Sequence, residues 1–529
     1  MLVEGESLME IRRQGVAQAT AVLTVGTLLT RALGFVREMA IAHQFGATAA
    51  TDAYLVAFVI PGLFASVGIS AITAAFIPVF TEYHLKHGEE EAWRITNVLI
   101  TLSVGVLSLS AVFTFLLAPI LIPVLGPGLD QQSTESAVRL ARIMSPAIVF
   151  IGLIGLSTSI LNAYKHFTLP AFSGALFNIG IITSTLVLGS RLGIAGVAIG
   201  VVAGTLAHLL VQSTLLMNKR HFYTPSFEVS HPGVKQMAWL LVPFLIGPLA
   251  GQLNVIVDRI LASSLAEGSI AALGFASRMM DLPLGVFAAS IAAAFYPTLA
   301  EQHALGDLDQ LRKTFSEGIR MLWFIVVPIS IGLIILREPL TRLLLERGAF
   351  DTKATGLTAT ALLFYAIGLF ARAGNIMLIR LYWARKDVFT PVKFSVLTVG
   401  LNIALSIVLM RSLLHGGLAL ASSIAAGINL VLLGSFLRKR LRHIDGRRIA
   451  KSIAKIVLAS SAMGGVCWQA LHLSEHLFTN LGSLSQQFLQ LIGVMVVGCL
   501  TYFGMALLLR MEQLSRVKLL LRSVIKRAS

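Results

Sequence analysis

Long apolar runs separated by short polar turns dominate the chain. Stretches long enough to span a bilayer recur about fourteen times. They begin with 17–43, 53–80, 95–120, 138–162, 168–190, 194–217 and 236–264. They continue through 270–299, 318–336, 356–382, 390–411, 416–437, 451–471 and 487–510. At about 1.5 Å of rise per residue, roughly 20 residues of helix cross the hydrocarbon core. No connecting segment has the length or composition of a folded soluble domain. The pattern predicts an all-α polytopic membrane protein of about 14 transmembrane helices.

The runs fall into two copies of one unit. Ala75-Phe76-Ile77-Pro78 is answered by Ala294-Phe295-Tyr296-Pro297, His84 by His303, and Arg94 by Arg312. Further on, Phe167-Thr168-Leu169-Pro170 is answered by Phe389-Thr390-Pro391. An offset held near 220 residues marks a duplication. Six helices per unit is an even number, so both copies cross with the same orientation and form parallel-repeat lobes. The N-lobe covers 1–220 and the C-lobe 221–440, while 441–529 adds two transmembrane helices and a basic tail. In such folds the natural binding site lies between the lobes.

Composition fits a chain whose solvent is largely lipid. Of the 529 residues 56% are hydrophobic and 13% charged, and mean hydropathy is +0.81. Lys and Arg outnumber Asp and Glu by 42 to 26, a net charge of +16. This excess lies mainly in alternate short loops, so it reads as topology and attraction to anionic membrane lipids rather than nucleic-acid binding. The loops 44–51, 121–134, 264–269 and 472–486 contain no Lys or Arg. By the positive-inside rule both termini are expected in the cytoplasm. The segment Arg337 to Lys353 breaks the alternation with four basic residues on the predicted outer side. Cys467 and Cys499 lie in apolar runs, which argues against a disulfide framework. The mixed-charge start, Met1 to Gln14, argues against a cleaved signal peptide.

Charges inside spans point to function, because a charge at the bilayer centre costs roughly 3 kcal/mol or more. The first span contains Thr30-Arg31-Ala32-Leu33-Gly34-Phe35-Val36-Arg37-Glu38. Two arginines within two turns suit an anion with several oxygens, since guanidinium binds phosphate bidentately. Local pairing of Arg37 with Glu38, or extension to the interface, is the structural alternative. Arg278 precedes Asp281 in the repeat-related helix of the second lobe. It reads equally well as the completion of a basic cluster or as a local ion pair. Asp258-Arg259 falls where the repeat places Arg37-Glu38. Asp258 is a candidate ligand for a coupling cation or proton, or else the neutralising partner of Arg259. Asn402 offers an amide oxygen, although helix-to-helix bonding is the commoner role for a buried asparagine. There is no GxxxxGK phosphate loop, HExxH or CxxC. Nothing therefore suggests an enzyme or a nucleotide-driven pump.

Several motifs together resemble the MurJ/MviN family of lipid II flippases. They are the Arg31–Arg37 segment, TDAYLVAFVIP from Thr51, AAFIPVFTEY, NVIVDRILASSLAEGSIAAL from Asn254, LLLERGAFD from Leu343 and YWARKDVFTPVK from Tyr382. The resemblance extends over nearly the whole chain. It implies the multidrug/oligosaccharidyl-lipid/polysaccharide exporter superfamily, with two six-helix lobes around a central cavity. It also implies transport of undecaprenyl-diphosphate-linked disaccharide-pentapeptide (lipid II) from the cytoplasmic to the outer leaflet of the inner membrane by alternating access. On this resemblance Arg31, Arg37 and Arg278 hold the diphosphate, with Glu38 and Asp52 as functionally sensitive acids. Asp258 and Asn402 stand at positions linked to a sodium site, and the two C-terminal helices form a groove for the lipid tail. Contact with cell-wall synthesis machinery is a further expectation. One departure is clear: many members carry an arginine just after the second-span proline, whereas this chain has Pro61-Gly62-Leu63. A flippase for another polyprenyl-diphosphate oligosaccharide and a cation-coupled drug exporter are the alternatives. The cationic rather than acidic cluster disfavours the exporter. A membrane scaffold, the remaining alternative, would not require buried arginines.

Overall fold

A computed structural model describes residues 25–441, 445–477 and 484–514. The first span's start, the Met1 to Gln14 segment and the basic tail beyond 514 lie outside the described residues. Among those described, all regular structure is helical. The helices are α1 (25–45), α2 (Ala49–Ala57), α3 (Val59–His87), α4 (Glu89–Leu125), α5 (Gln131–Ala163), α6 (Thr168–Leu192), α7 (Ala195–Leu216) and α8 (Pro232–Ser263). They continue with α9 (Ser269–Pro283), α10 (Ala289–Ala304), α11 (Leu308–Leu345), α12 (Thr352–Ile367), α13 (Leu369–Ala384), α14 (Phe389–Leu441), α15 (Gly446–Leu477) and α16 (Leu484–Leu508).

Ten of these helices, or helix pairs joined through a short π turn, are long and apolar enough to cross a membrane. Two bent pairs raise the number to 12: the halves of α8, and α12 with α13, each bent by 46°. Within α14 the backbone breaks at Leu414, with φ 51° and ψ −132°, so this element contains two spans. With the partly described α1, the result agrees with the count read from the apolar runs. Both cysteines are free.

The described chain divides into two compact units. The first takes residues up to Ala271 together with Arg347–Phe350, and the second takes the rest. The repeat assigns α8 to the second lobe, whereas packing groups it with the first unit, against α3 and α4. In that unit α5 is the central helix, enclosed by α2, α3, α4 and α7. By contrast α4 shows Leu109, Val112 and Leu116 outward. In α7, Gly196, Gly200 and Gly204 recur every four residues, a small-residue stripe that lets α6 approach closely. A Cβ on Gly180 of α6 would lie only 2.5 Å from Gly204 Cα.

At one end of this unit, Phe76, Phe80, Trp93, Ile160 and Met237 form a buried core. A strap over 217–231 crosses that end and is fastened to α4. Lys219 Nζ donates to Glu89 at 2.7 Å, and Arg94 donates twice to Glu228 at 2.9 Å. His231 Nε2 lies 2.8 Å from Glu91. The repeat partner of Arg94 does similar work in the second unit, where Arg312 donates to the carbonyl of Leu441. Arg94 thus ties down the strap that follows the sixth span of its lobe, and Arg312 the last residue of the sixth span of the other.

The second unit is built on α11, against which α10, α12, α13, α15 and α16 pack. The C-terminal hairpin is joined to it by polar bonds. Tyr502 Oη donates to the Phe324 carbonyl at 2.6 Å, and Arg320 Nη1 lies 2.9 Å from Glu512.

Candidate functional site

The first helix presents its two arginines differently. They are six residues apart, which in an ideal helix is about 9 Å of rise and about 120° of rotation. Arg31 is exposed and makes no hydrogen bond or ion pair among the described residues. Arg37 turns into the packing between α1 and α6, where its side chain is 11% exposed. Its Nη2 pairs with the Glu38 carboxylate. Its Nη1 donates to Asn178 Oδ1 at 3.2 Å, and the guanidinium lies 5.7 Å from the centre of the Phe177 ring. The Nε of Arg37 is buried and bonds to nothing among the described residues.

Sequence reasoning missed Asn178, yet it organises this network. Its Nδ2 donates to the Thr30 carbonyl at 3.2 Å, which directs Oδ1 toward Arg37. Only 4% of the residue is exposed. The approach depends on small residues: Gly34 leaves room beside the Asn178 amide, and a Cβ on Gly26 would collide with Ala171 at 2.8 Å. A signal was present, because a lone amide within the apolar run 168–190 must find a partner in lipid.

Asp52 belongs to a different construction. Its Oδ2 accepts from Gly268 N at 2.8 Å and its Oδ1 from Ala271 N at 2.7 Å. The carboxylate thus satisfies amides at the start of α9, where a helix leaves its N–H groups open and favours negative charge. Nearby, Ala49 N donates to Glu267 at 2.9 Å, and Thr51 Oγ1 donates to the Gly46 carbonyl at 2.8 Å. The Arg347–Phe350 turn seats on the same end, with Ala349 N donating to His43 O at 2.8 Å. This docking accounts for part of the irregular basic segment, whose Arg342 is also paired with Glu338 at 2.9 Å. Gly46 has φ +64°, and a Cβ there would lie 2.3 Å from the Ala349 carbonyl oxygen, so only glycine fits without rearrangement. Among the described residues no hydrogen bond or ion pair links Asp52 to the Arg37 network.

Arg259 Nη1 donates to the Ile270 carbonyl at 2.9 Å, joining the end of α8 to the start of α9. Asp258 is its neighbour on α8. Arg278, in the second unit, is half exposed with Nη1 4.0 Å from Asp281, at the outer limit of an ion pair. Asn402 and Ser406 lie one turn apart on α14, 3% and 0% exposed, and the Ser406 hydroxyl bonds to nothing among the described residues. No cluster of three or more His, Cys, Asp or Glu capable of holding a metal occurs among the described residues.

The model of the family described as "Lipid II flippase MurJ" matches residues 41–488, most of the chain. This chain belongs to that family. It is 31% identical to a probable lipid II flippase MurJ from Vibrio cholerae, over 92% of this chain and 95% of that one. With a lipid II flippase MurJ from Burkholderia cenocepacia it shares 30% identity, over 85% of this chain and 90% of that one. A solved lipid II flippase MurJ in an inward closed conformation superposes with a TM-score of 0.78 at 26% identity, covering 93% and 99% of the two chains. An inward-facing multidrug transporter of the MATE family shares the fold, with a TM-score of 0.68 at 12% identity. The family match begins downstream of Arg31 and Arg37, so the case for those residues rests on their own geometry and chemistry. Family membership makes the chain a multi-pass transporter of the bacterial inner membrane.

Proposed function

We propose that this protein is a lipid II flippase, carrying the diphosphate-linked peptidoglycan precursor between leaflets of the inner membrane for cell-wall synthesis. The similarity to lipid II flippases extends over nearly the full length, in contrast to the fold-level likeness to drug transporters. One observation carries the chemical part of the reading: an arginine is held inside the α1–α6 packing, its guanidinium fixed by Asn178 and Glu38. A guanidinium oriented in this way is a preorganised donor for phosphate oxygens. Arg31, exposed two turns away, supplies the uncompensated charge that draws the headgroup in. Arg278, half exposed on α9, is a further candidate for binding the diphosphate. Asp258 in the first unit and Asn402 in the second are each a candidate oxygen donor for a coupling cation, as part of the same proposal.

Depletion of the native protein, followed by rescue with wild type or with Arg31→Ala/Arg37→Ala, tests this. Wild type is expected to restore lipid II in the outer leaflet and the double variant to fail at equal membrane abundance. If wild type failed, the flippase assignment would be lost. Full rescue by the double variant would remove the headgroup site alone.

A further inference from the structure

A second basic site lies on the lipid-facing surface of the first unit, far along the chain from the α1 arginines. Arg139 and Arg142 project from α5 into a groove of about 580 Å³ between α4 and α5, lined also by Phe115, Pro119, Val138 and Ile143. Both arginines are exposed.

The placement of Arg142 is dictated by a proline. In a helix the carbonyl of residue 115 would accept from the N–H of residue 119, but that residue is Pro119 and has no N–H. Arg142 Nε fills the gap and donates to the Phe115 carbonyl at 3.1 Å. Its guanidinium also lies 5.4 Å from the centre of the Phe115 ring. This side chain is therefore folded back onto α4 instead of extending toward water, and its two Nη groups bond to nothing among the described residues. Arg139, one turn nearer the helix start, makes no hydrogen bond or ion pair among them. The nearest acid, Glu135, accepts from Gln131 at 3.0 Å and has no ion pair with either arginine.

Depth and surroundings identify the occupant. From Gln131, the first residue of α5, Arg139 and Arg142 lie about 12 and 16 Å along the helix. This 33-residue helix is about 50 Å long and exceeds the hydrocarbon core by roughly 10 Å at each end. The two guanidinium groups thus stand near the boundary between headgroups and acyl chains. Beside the groove α4 keeps an outward apolar face, where Val112 and Leu116 are 54% and 63% exposed. Two unpaired cations above an apolar track match a phosphate above acyl chains. We propose that this groove binds an anionic phospholipid, the phosphodiester on Arg139 and Arg142 and one chain along α4. The lipid neutralises two charges that would otherwise face the membrane unpaired.

Native mass spectrometry of the full-length protein, titrated with phosphatidylglycerol or phosphatidylcholine, tests the proposal. Wild type should retain one phosphatidylglycerol that Arg139→Gln/Arg142→Gln loses, with about tenfold weaker binding, and phosphatidylcholine should show no such difference. Removing the nearby competing charge with Glu135→Gln should strengthen retention, a gain that misfolding cannot produce. Equal retention of phosphatidylglycerol by wild type and the double arginine variant would overturn the site. So would equal loss of phosphatidylcholine. If the double variant instead lost only lipid II, the groove would be a substrate site and the phospholipid assignment would fall.

Discussion

Replacing Asn178 with alanine should weaken headgroup binding through Arg37, although Asn178 itself is nearly buried and need not touch the substrate. The substitution removes the bond from Arg37 Nη1 at 3.2 Å and the bond to the Thr30 carbonyl at 3.2 Å. A hydrogen bond involving a charged group contributes about 1.5–3 kcal/mol, and a neutral one about 0.5–1.5. Arg37 already has a buried Nε without a partner, so after the change only Glu38 would orient it. If the charged bond serves to hold the guanidinium in a phosphate-binding pose, its loss reappears at binding as about 1.5–2 kcal/mol, roughly tenfold or a little more in affinity. Purified protein titrated with lipid II provides the assay, read by native mass spectrometry beside the melting temperature. The deciding comparison is a double-mutant cycle. In an Arg37→Ala background, Asn178→Ala should have almost no further effect, because there is no guanidinium left to position. An undiminished effect in that background would refute the positioning role and leave Asn178 as a packing residue between α1 and α6.

Three further outcomes follow from the geometry. Asp52→Ala frees the amides of Gly268 and Ala271, each bound to a carboxylate, so their hydrogen exchange should quicken at least tenfold; unchanged exchange would show that the carboxylate is not their principal acceptor. Gly46→Ala forces a Cβ toward the Ala349 carbonyl from a left-handed backbone, costing about 1–3 kcal/mol. It should lower the melting temperature and increase protease cleavage at the 347–350 turn. Tyr502→Phe removes a buried bond to the Phe324 carbonyl and should cost about 1 kcal/mol in thermal unfolding, with looser attachment of α15 and α16 seen by hydrogen exchange.

The helices were legible in the sequence because lipid imposes a strict rule: each crossing needs its own apolar run with all backbone groups bonded internally. The tight break at Leu414 leaves α14 nearly continuous, yet the four-residue interval between the runs 390–411 and 416–437 already separated two spans in the apolar pattern. The same rule flagged Arg31 and Arg37 as costly charges. It could not say that one of them is exposed and the other enclosed, since that depends on Asn178, 141 residues away, and on the small residues that bring α6 against α1. The partners of Asp52 are backbone amides, which leave no trace in side-chain identity. Arg139 and Arg142 were open to the criterion applied to α1, as both fall within the apolar run 138–162.

The inequality of the two α1 arginines changes how the site works. Glu38 lies against Arg37 and cancels most of its charge at a distance, so Arg37 contributes little to the long-range field. In the proposed site its value is geometric: a donor already held in place by Asn178 and Glu38. Arg31 has the opposite character, with full charge, exposure and no partner to hold it among the described residues. In the proposed headgroup site an anion approaching α1 would therefore be attracted chiefly by Arg31 and oriented chiefly by Arg37. Two arginines of equal exposure would attract it more strongly, but each would lose side-chain freedom on binding. The absence of an arginine after Pro61 leaves this division of labour without a third basic group from α3, so the orientation supplied by Arg37, and with it by Asn178, carries more weight in this chain.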